Sequence, residues 1–244
     1  MEKDNSEEGE ILHSLFARKI VRISDSLVVK KGPDLRAHEV SNLRFVAANT
    51  TIPVPKVHDV QYENGKVTAI IMDNMPGKRL DELSVAEQLR DYITQLRNLK
   101  GTYIGGADGG TAITDKYISI EGGPFESERM FKKWILEDLA PGLPGIYQHF
   151  AEHALTNDHE IFFTHSDFAT RNILVDDSDS GKCEVTAILD WEWSGWYQEY
   201  WEYYKAYRNL LPMPDWPDYL VRIFPPKYEK EYIAMSWLSG FGRS

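Results

Sequence analysis

The segment HSDFATRNILVD, from His165 to Asp176, places an aspartate two residues after a histidine and an asparagine five residues after that aspartate. A second segment, ILDWEW, from Ile188 to Trp193, adds Asp190 at the end of an apolar run. Asn172 to Val175 and Val185 to Leu189 read as two short strands, and the polar stretch 176–182 between them reads as the turn of a β-hairpin. A hairpin returns the end of its second strand to the loop before its first. That geometry converges Asp167, Asn172 and Asp190 on one point. A carboxylate base beside two oxygen donors is the equipment for moving a phosphoryl group, a reaction governed by positioning and charge neutralisation. Asp167 suits the base that takes a hydroxyl proton. The Asn172 amide oxygen and the Asp190 carboxylate suit Mg2+, which prefers hard oxygen ligands and uses few from the protein. His165 suits a brace for the loop.

The elements around this constellation divide into a strand-rich and a helix-rich part. Residues 1–10 are polar and acidic and read as a disordered tail. Ile11 to Ala17 is a short amphipathic piece. Lys19 to Ser24 and Leu27 to Lys31 alternate like strands around Asp25-Ser26. Asp34 to Ala48 reads as a helix with Asp34 as N-cap. Val57 to Tyr62 and Lys66 to Asp73 form a hairpin across Asn64-Gly65, a strong turn signal. Beyond Met75-Pro76-Gly77 the pattern turns helical: Leu83 to Leu99, Phe131 to Leu139, Gly145 to Leu155 and Tyr197 to Leu211. This order predicts an α+β chain with a small antiparallel-sheet lobe over residues 11–75 and a larger, mainly helical lobe over residues 76–244.

In the small lobe, Lys30 and Lys31 both lie at a strand end. A strand alternates its faces, so one of the two can point into a cleft. Glu39, in the next helix, could hold such a lysine by an ion pair.

HSDFATRNILVD followed by ILDWEWSGWYQEYWEYYKA resembles the aminoglycoside phosphotransferase and choline kinase family, over about residues 19–241, and most resembles a fungal phosphotransferase-like branch of it. The resemblance implies a two-lobed protein-kinase-like fold and an ATP-dependent, Mg2+-dependent phosphotransferase with an alcohol group as acceptor. It implies that Asp167 is the base, that Asn172 and Asp190 hold the metal, and that Lys30, paired with Glu39, steadies the ATP phosphates. The stretch Met72, Asp73, Asn74, Met75 maps onto the hinge that receives adenine through backbone groups. Asp-Trp-Glu-Trp where protein kinases carry Asp-Phe-Gly, with no Ala-Pro-Glu segment after Asp190, sets the chain apart from protein kinases. One departure stands out. No glycine-rich loop precedes the Lys30 strand, and such a loop is what lets backbone N–H groups approach phosphate oxygens. That departure supports an alternative reading as a catalytically weak or inactive kinase-like binding protein. Gly105-Gly106 and Gly109-Gly110 do not have the spacing to replace it and read as a flexible loop on the acceptor side.

Trp191, Glu192 and Trp193 directly follow Asp190 and are candidates for lining the acceptor pocket, with Glu202, which matches a family position, as a further one or as the carrier of a structural bond instead. Indole faces and carboxylates can cage an ammonium group, which would suit an amino-alcohol substrate. The helical spacing of Tyr197, Tyr200, Trp201, Tyr204 and Tyr207 points instead to core packing. The formal net charge of −11 over 244 residues argues against nucleic acid as a partner. The single cysteine, Cys183, leaves no intrachain disulfide. The N-terminus lacks a secretory layout and no apolar run has the length of a membrane span, so the expectation is a cytoplasmic protein acting on a small-molecule alcohol or amino-alcohol.

Overall fold

A computed structural model describes residues 9–15, 18–79, 85–114, 121–139, 144–176, 178, 183–208, 216–224 and 227–241. Five antiparallel strands form the first sheet: β1 (Glu10–Leu15), β2 (Arg18–Arg22), β3 (Leu27–Lys31), β4 (Val57–Glu63) and β5 (Lys66–Asp73), in the order β1-β2-β3-β5-β4. Alternation along β3 sorts its side chains between two faces. Val29 joins Val21, Ala69 and Ile71 in a small cluster on one face. Val28 faces the main core with Ile70 and Met72, and Lys30 shares that face. Helix α1 (Ala37–Asn49) follows β3. The β4–β5 turn uses Asn64 and Gly65 at φ values of 50° and 78°, as its Asn-Gly sequence predicts.

Three local expectations are corrected here. Ile11 to Leu15 is part of strand β1, whose first residue, Glu10, belongs to the segment read as a tail; residues 1–8 lie outside the described residues. Asp34 does not cap α1: the cap position is Arg36, without a side-chain cap bond. Buried Leu35 and the Arg18 guanidinium, which donates to the Asp34 carbonyl at 3.0 Å, hold the chain extended up to residue 36. Tyr197 begins no helix. Residues Gly195–Gln198 form a fully buried strand that pairs with Ile161–Thr164, and the helix starts only at Trp201. A short apolar run buried on both sides gives no periodicity by which to tell strand from helix.

The chain leaves the first sheet after β5 and enters β6 (Lys78–Arg79). There it pairs with a second sheet of order β11-β10-β6. Gly77 allows the crossing: its φ is 118°, and a Cβ there would come within 2.5 Å of Thr186 Oγ1 and 2.8 Å of the Val175 carbonyl oxygen. The remaining elements are α2 (Ala86–Asn98), the small β7 (Ala112–Ile113) and β8 (Glu121–Gly122) pair, α3 (Glu128–Leu139), α4 (Gly145–Ala154), β9 (Ile161–Thr164), β10 (Ile173–Asp176), β11 (Glu184–Ile188), β12 (Gly195–Gln198), α5 (Trp201–Arg208), α6 (Trp216–Ile223) and α7 (Glu229–Phe241). Helix α2 buries Ala86, Leu89, Ile93 and Leu96 along one stripe, the 3–4 spacing of a core-facing helix. Residues 83–84 of the expected helix Leu83 to Leu99 and the 209–211 end of the expected last helix lie outside the described residues. No helix among the described residues is long and apolar enough to cross a membrane.

Candidate active site

The loop between β9 and β10 is built from below by α5. Glu202, in the first turn of that helix and 5% exposed, accepts hydrogen bonds from the backbone N–H groups of His165 and Ser166. Burial pushes its carboxyl up to about 7, against the pull of those two N–H groups. Ser166 takes a φ of 65°, a conformation a non-glycine residue keeps only when its surroundings enforce it. Ser194 Oγ donates to the His165 carbonyl at 3.0 Å. The His165 ring is buried and its pKa is lowered by that burial. Its Nδ1 accepts the Asp167 N–H at 3.2 Å, so the proton sits on Nε2, which donates to the Leu189 carbonyl at 2.9 Å. His165 is thus a neutral strut between the two motif loops.

These bonds present Asp167 in a fixed orientation. Asn172 Nδ2 donates to the Asp167 carbonyl and to its Oδ2, both at 2.9 Å. Arg171, one helical turn on, pairs with Asp167 Oδ1. Because Nδ2 of Asn172 is committed to Asp167, its Oδ1 is turned the other way, as a metal-binding amide oxygen must be. The main chain ties Asn172 to the second motif: the Leu189 N–H donates to the Asn172 carbonyl at 2.7 Å. Asp190 follows in the left-handed region, at φ 64° and ψ 63°.

Lys30 reaches this point from the first sheet. Its Nζ donates to both Glu39 carboxylate oxygens at 2.9 Å and to Asp190 Oδ1 at 3.1 Å. Burial opposes the charge on Lys30, but Asp190, Glu39 and Glu192 outweigh it and hold the ammonium above the ordinary lysine value. Lys31 points to the opposite face, opposite Lys19 in register. Glu192 Oε2 lies 3.8 Å from Lys30 Nζ and 2.5 Å from Arg18 Nη1. Glu39, Asp190 and Glu192 bring carboxylate oxygens within 4.8 Å of one another. Two cations sit among them, so the trio is an ion-pair cluster rather than a cation cage. Asp190 is its open member: its side chain is 32% exposed, against 3% for Glu39 and 6% for Glu192.

Helix α1 is latched to the same segment. Asn42 Nδ2 donates to the Trp191 and Ser194 carbonyls at 2.8 and 3.0 Å, and His38 Nε2 donates to the Ser194 carbonyl at 2.8 Å. One helix face therefore carries Glu39 to Lys30 and grips the backbone just past Asp190.

With this geometry described, the comparisons with known proteins have a definite meaning. The sequence model of the phosphotransferase enzyme family (APH) matches residues 14–240. The chain belongs to that family. Solved structures with the same fold include the GDP complex of an aminoglycoside 2'-phosphotransferase-IIIa mutant, 12% identical with a TM-score of 0.63 over 96% of this chain and 82% of that one. They also include a ternary complex of aminoglycoside phosphotransferase APH(4)-Ia with AMP-PNP and hygromycin B, 13% identical with a TM-score of 0.56 over 97% and 92%. A third is the macrolide 2'-phosphotransferase MphH from Brachybacterium faecium, 16% identical with a TM-score of 0.57 over 96% and 83%. No curated protein is significantly similar in sequence, and nothing in these matches singles out a fungal branch. The kinase-like fold and the phosphotransferase class expected from the sequence are borne out.

Within this phosphotransferase, the residues proposed for the acceptor side separate. Trp191 is wholly buried, with its indole N–H donated to the Ile188 carbonyl at 2.8 Å and its ring 4.5 Å from that of His165; it supports the loop. Glu202 is likewise spent on backbone amides. Trp193 is buried and stacks 5.5 Å from the Arg36 guanidinium. Glu199 pairs with Tyr228, Lys227 and Arg97. The ammonium cage is therefore not formed: its rings are core and its carboxylates are engaged. Glu192 alone of the acceptor-side candidates reaches the Lys30 cluster. At the hinge, Met72 is buried, and Asp73 turns its carboxylate to His58 Nε2 at 2.6 Å and the Lys56 N–H at 3.1 Å. Met75 follows two residues beyond the end of β5. Only the base of the Gly105 to Gly110 turn is packed: Gly105 exchanges two backbone bonds with Trp196 and a Cβ at Gly106 would collide with the His38 ring, while Asp108 and Gly109 are exposed.

Arg18, Arg171, His38 and Asn42 were not anticipated. Arg171 had a readable signal, an arginine four residues after an aspartate in a polar turn. The other three contact residues at least 149 positions away, which no local pattern records.

Proposed function

We propose that this phosphotransferase moves the γ-phosphoryl group of ATP to the hydroxyl of a small alcohol or amino-alcohol. The observation that carries this reading is the meeting of Lys30, Glu39, Asp167, Asn172 and Asp190 within one hydrogen-bonded assembly built from both lobes. The nucleotide complexes among the fold relatives support it. We assign residues 11–75, ending in the Met72–Met75 hinge, to nucleotide binding, and residues 76–244 to catalysis and acceptor binding.

Asn172 and Asp190 fit Mg2+ as hard oxygen donors, one with its amide oxygen oriented by Asp167 and the other with the most open carboxylate of its cluster. Bound there, the cation would neutralise phosphate charge. Lys30, kept ionised and held by Glu39, would face the α- and β-phosphates. Met72, Asp73 and Met75 would border the adenine, residue 73 through its backbone. Asp167 would orient the acceptor hydroxyl and take its proton as the new O–P bond forms, the β–γ bridge bond breaks and ADP departs. Arg171 would place a second cation beside the transferred group. The alternative reading, a kinase-like binding protein of little activity, draws on the sequence before the Lys30 strand, which has no glycine from residue 10 to residue 31.

Thermal unfolding with and without saturating MgATP tests the reading. At about a hundred times its dissociation constant, ligand adds roughly 2.7 kcal/mol, or about 5–10 °C for a chain of this size. The shift should require Mg2+ and vanish in Asp190→Ala. Equal shifts in wild type and variant would remove Asp190 from the metal site.

A further inference from the structure

The sequence has no glycine between β1 and β2, yet β2 begins with Arg18. Ile20 pairs with Lys30, so Arg18, two residues earlier on β2, lies on the sheet face that carries Lys30. Its guanidinium spans to the opposite lobe. Nη1 meets Glu192 Oε2 at 2.5 Å, and Nη2 donates to the Asp34 carbonyl at 3.0 Å. The same Glu192 oxygen is 3.8 Å from Lys30 Nζ. One carboxylate oxygen is thus clasped between two cations of the nucleotide lobe, two residues along the chain from Asp190. A carboxylate and a phosphate offer a guanidinium the same kind of paired oxygen edge, and Arg binds either through its rigid fork.

We propose that Arg18 and Lys30 together form the polyphosphate site of this enzyme, that Arg18 does the work a glycine-rich loop does by backbone N–H groups, and that Glu192 occupies the site as an internal competitor until a nucleotide phosphate displaces it. The proposal rests on the phosphotransferase reading and adds to it the residue that replaces the loop. It removes the ground for treating the missing glycines as a sign of inactivity. It also gives Glu192 a role tied to nucleotide entry rather than to the acceptor.

The test is calorimetric binding of MgATP and of adenosine to wild type, Arg18→Met, Arg18→Lys and Glu192→Gln. Losing a charge-assisted contact of this kind should weaken MgATP about tenfold or more in Arg18→Met, leave adenosine binding unchanged, and be partly restored in Arg18→Lys. Glu192→Gln should bind MgATP more tightly than wild type and adenosine equally. A purely structural role for Arg18, through its bond to Asp34, would weaken both ligands together and overturn the proposal. So would MgATP affinity unchanged in Arg18→Met, or weakened in Glu192→Gln. Wild type that binds no MgATP would refute the phosphotransferase reading itself, an outcome distinct from a failure confined to Arg18.

Discussion

Glu202→Gln should change how stability depends on pH, and the structure fixes the sign. The carboxyl has an ordinary value of 4.5 and is pushed up to about 7 in the folded chain, first by burial, with Asp167 adding to the rise and the His165 and Ser166 N–H groups and Lys205 opposing it. A carboxyl raised on folding keeps its proton in the native state at pH values where the unfolded chain has lost it. Stability is then lost as pH rises from 4.5 through 7, and the loss is complete above that window. Between about pH 5.5 and 7.5 the loss is roughly 2 kcal/mol, or about 4–8 °C in Tm. A neutral glutamine removes this dependence while leaving an oxygen to accept from the loop. Urea unfolding of both proteins across that range, which stays above the isoelectric point of about 5.1, is the assay. His159, raised by Glu128 and Glu231 against its burial, and His165, lowered by burial, titrate in both proteins and drop out of the difference. The variant should gain on wild type by roughly 2 kcal/mol between the two ends. Parallel curves would show that Glu202 is ionised throughout, with the two loop N–H groups overcoming its burial.

Two further perturbations separate chemistry from architecture. Asp167→Asn should keep MgATP binding and lose roughly 10²–10⁴ in turnover, the range for a general base, measured as ADP release with an alcohol the wild type phosphorylates; near wild-type turnover would reassign the base. Gly77→Ala should cost roughly 1–3 kcal/mol, read by chemical denaturation, because a φ of 118° is strained for alanine and the added Cβ meets Thr186 Oγ1 and the Val175 carbonyl. An unchanged midpoint would mean that the crossing between the sheets adapts.

The parts of this site that could be read from sequence are those the chain assembles locally. Asp167, Asn172 and Asp190 lie within one strand–turn–strand unit, and the hairpin register Ile173 to Ile188 brings them together. Lys30 and Glu39 are nine residues apart, on a strand and the helix that follows it. The Asn64-Gly65 turn obeys its own chemistry. What failed did so for identifiable reasons. Gly195 to Gln198 is buried on both faces, so its aromatics fit helical spacing as readily as strand alternation. Ile11 to Leu15 has its alternation broken by a register shift between Ile11 and His13. Trp191 looks like a pocket residue by position, and only the folded chain shows that it supports the His165 ring; for Glu202 the sequence left a structural bond open, and the folded chain spends it on the backbone beneath Asp167. Arg18 meets Glu192 across 174 residues, beyond any motif.

The exposure of the three carboxylates around Lys30 assigns them different tasks. Glu39 is almost fully covered and makes two bonds to the ammonium, and breaking a buried pair from one side leaves an uncompensated charge; it is the partner Lys30 keeps. Asp190 meets the ammonium through Oδ1 at 3.1 Å, from a side chain about a third exposed, and it sits on a backbone turned into the left-handed region. On the function proposed above, it is the partner Lys30 would exchange for a phosphate, and its carboxylate would then turn to the cation. Helix α1 makes the two events interdependent. Through Glu39 it sets where Lys30 points, and through His38 and Asn42 it holds the Trp191 and Ser194 carbonyls that follow Asp190. Any displacement of α1 would move the lysine and the aspartate together. On the proposed reading, the position of that one helix, rather than separate adjustment of each side chain, would set whether the nucleotide and metal halves of the site are in register.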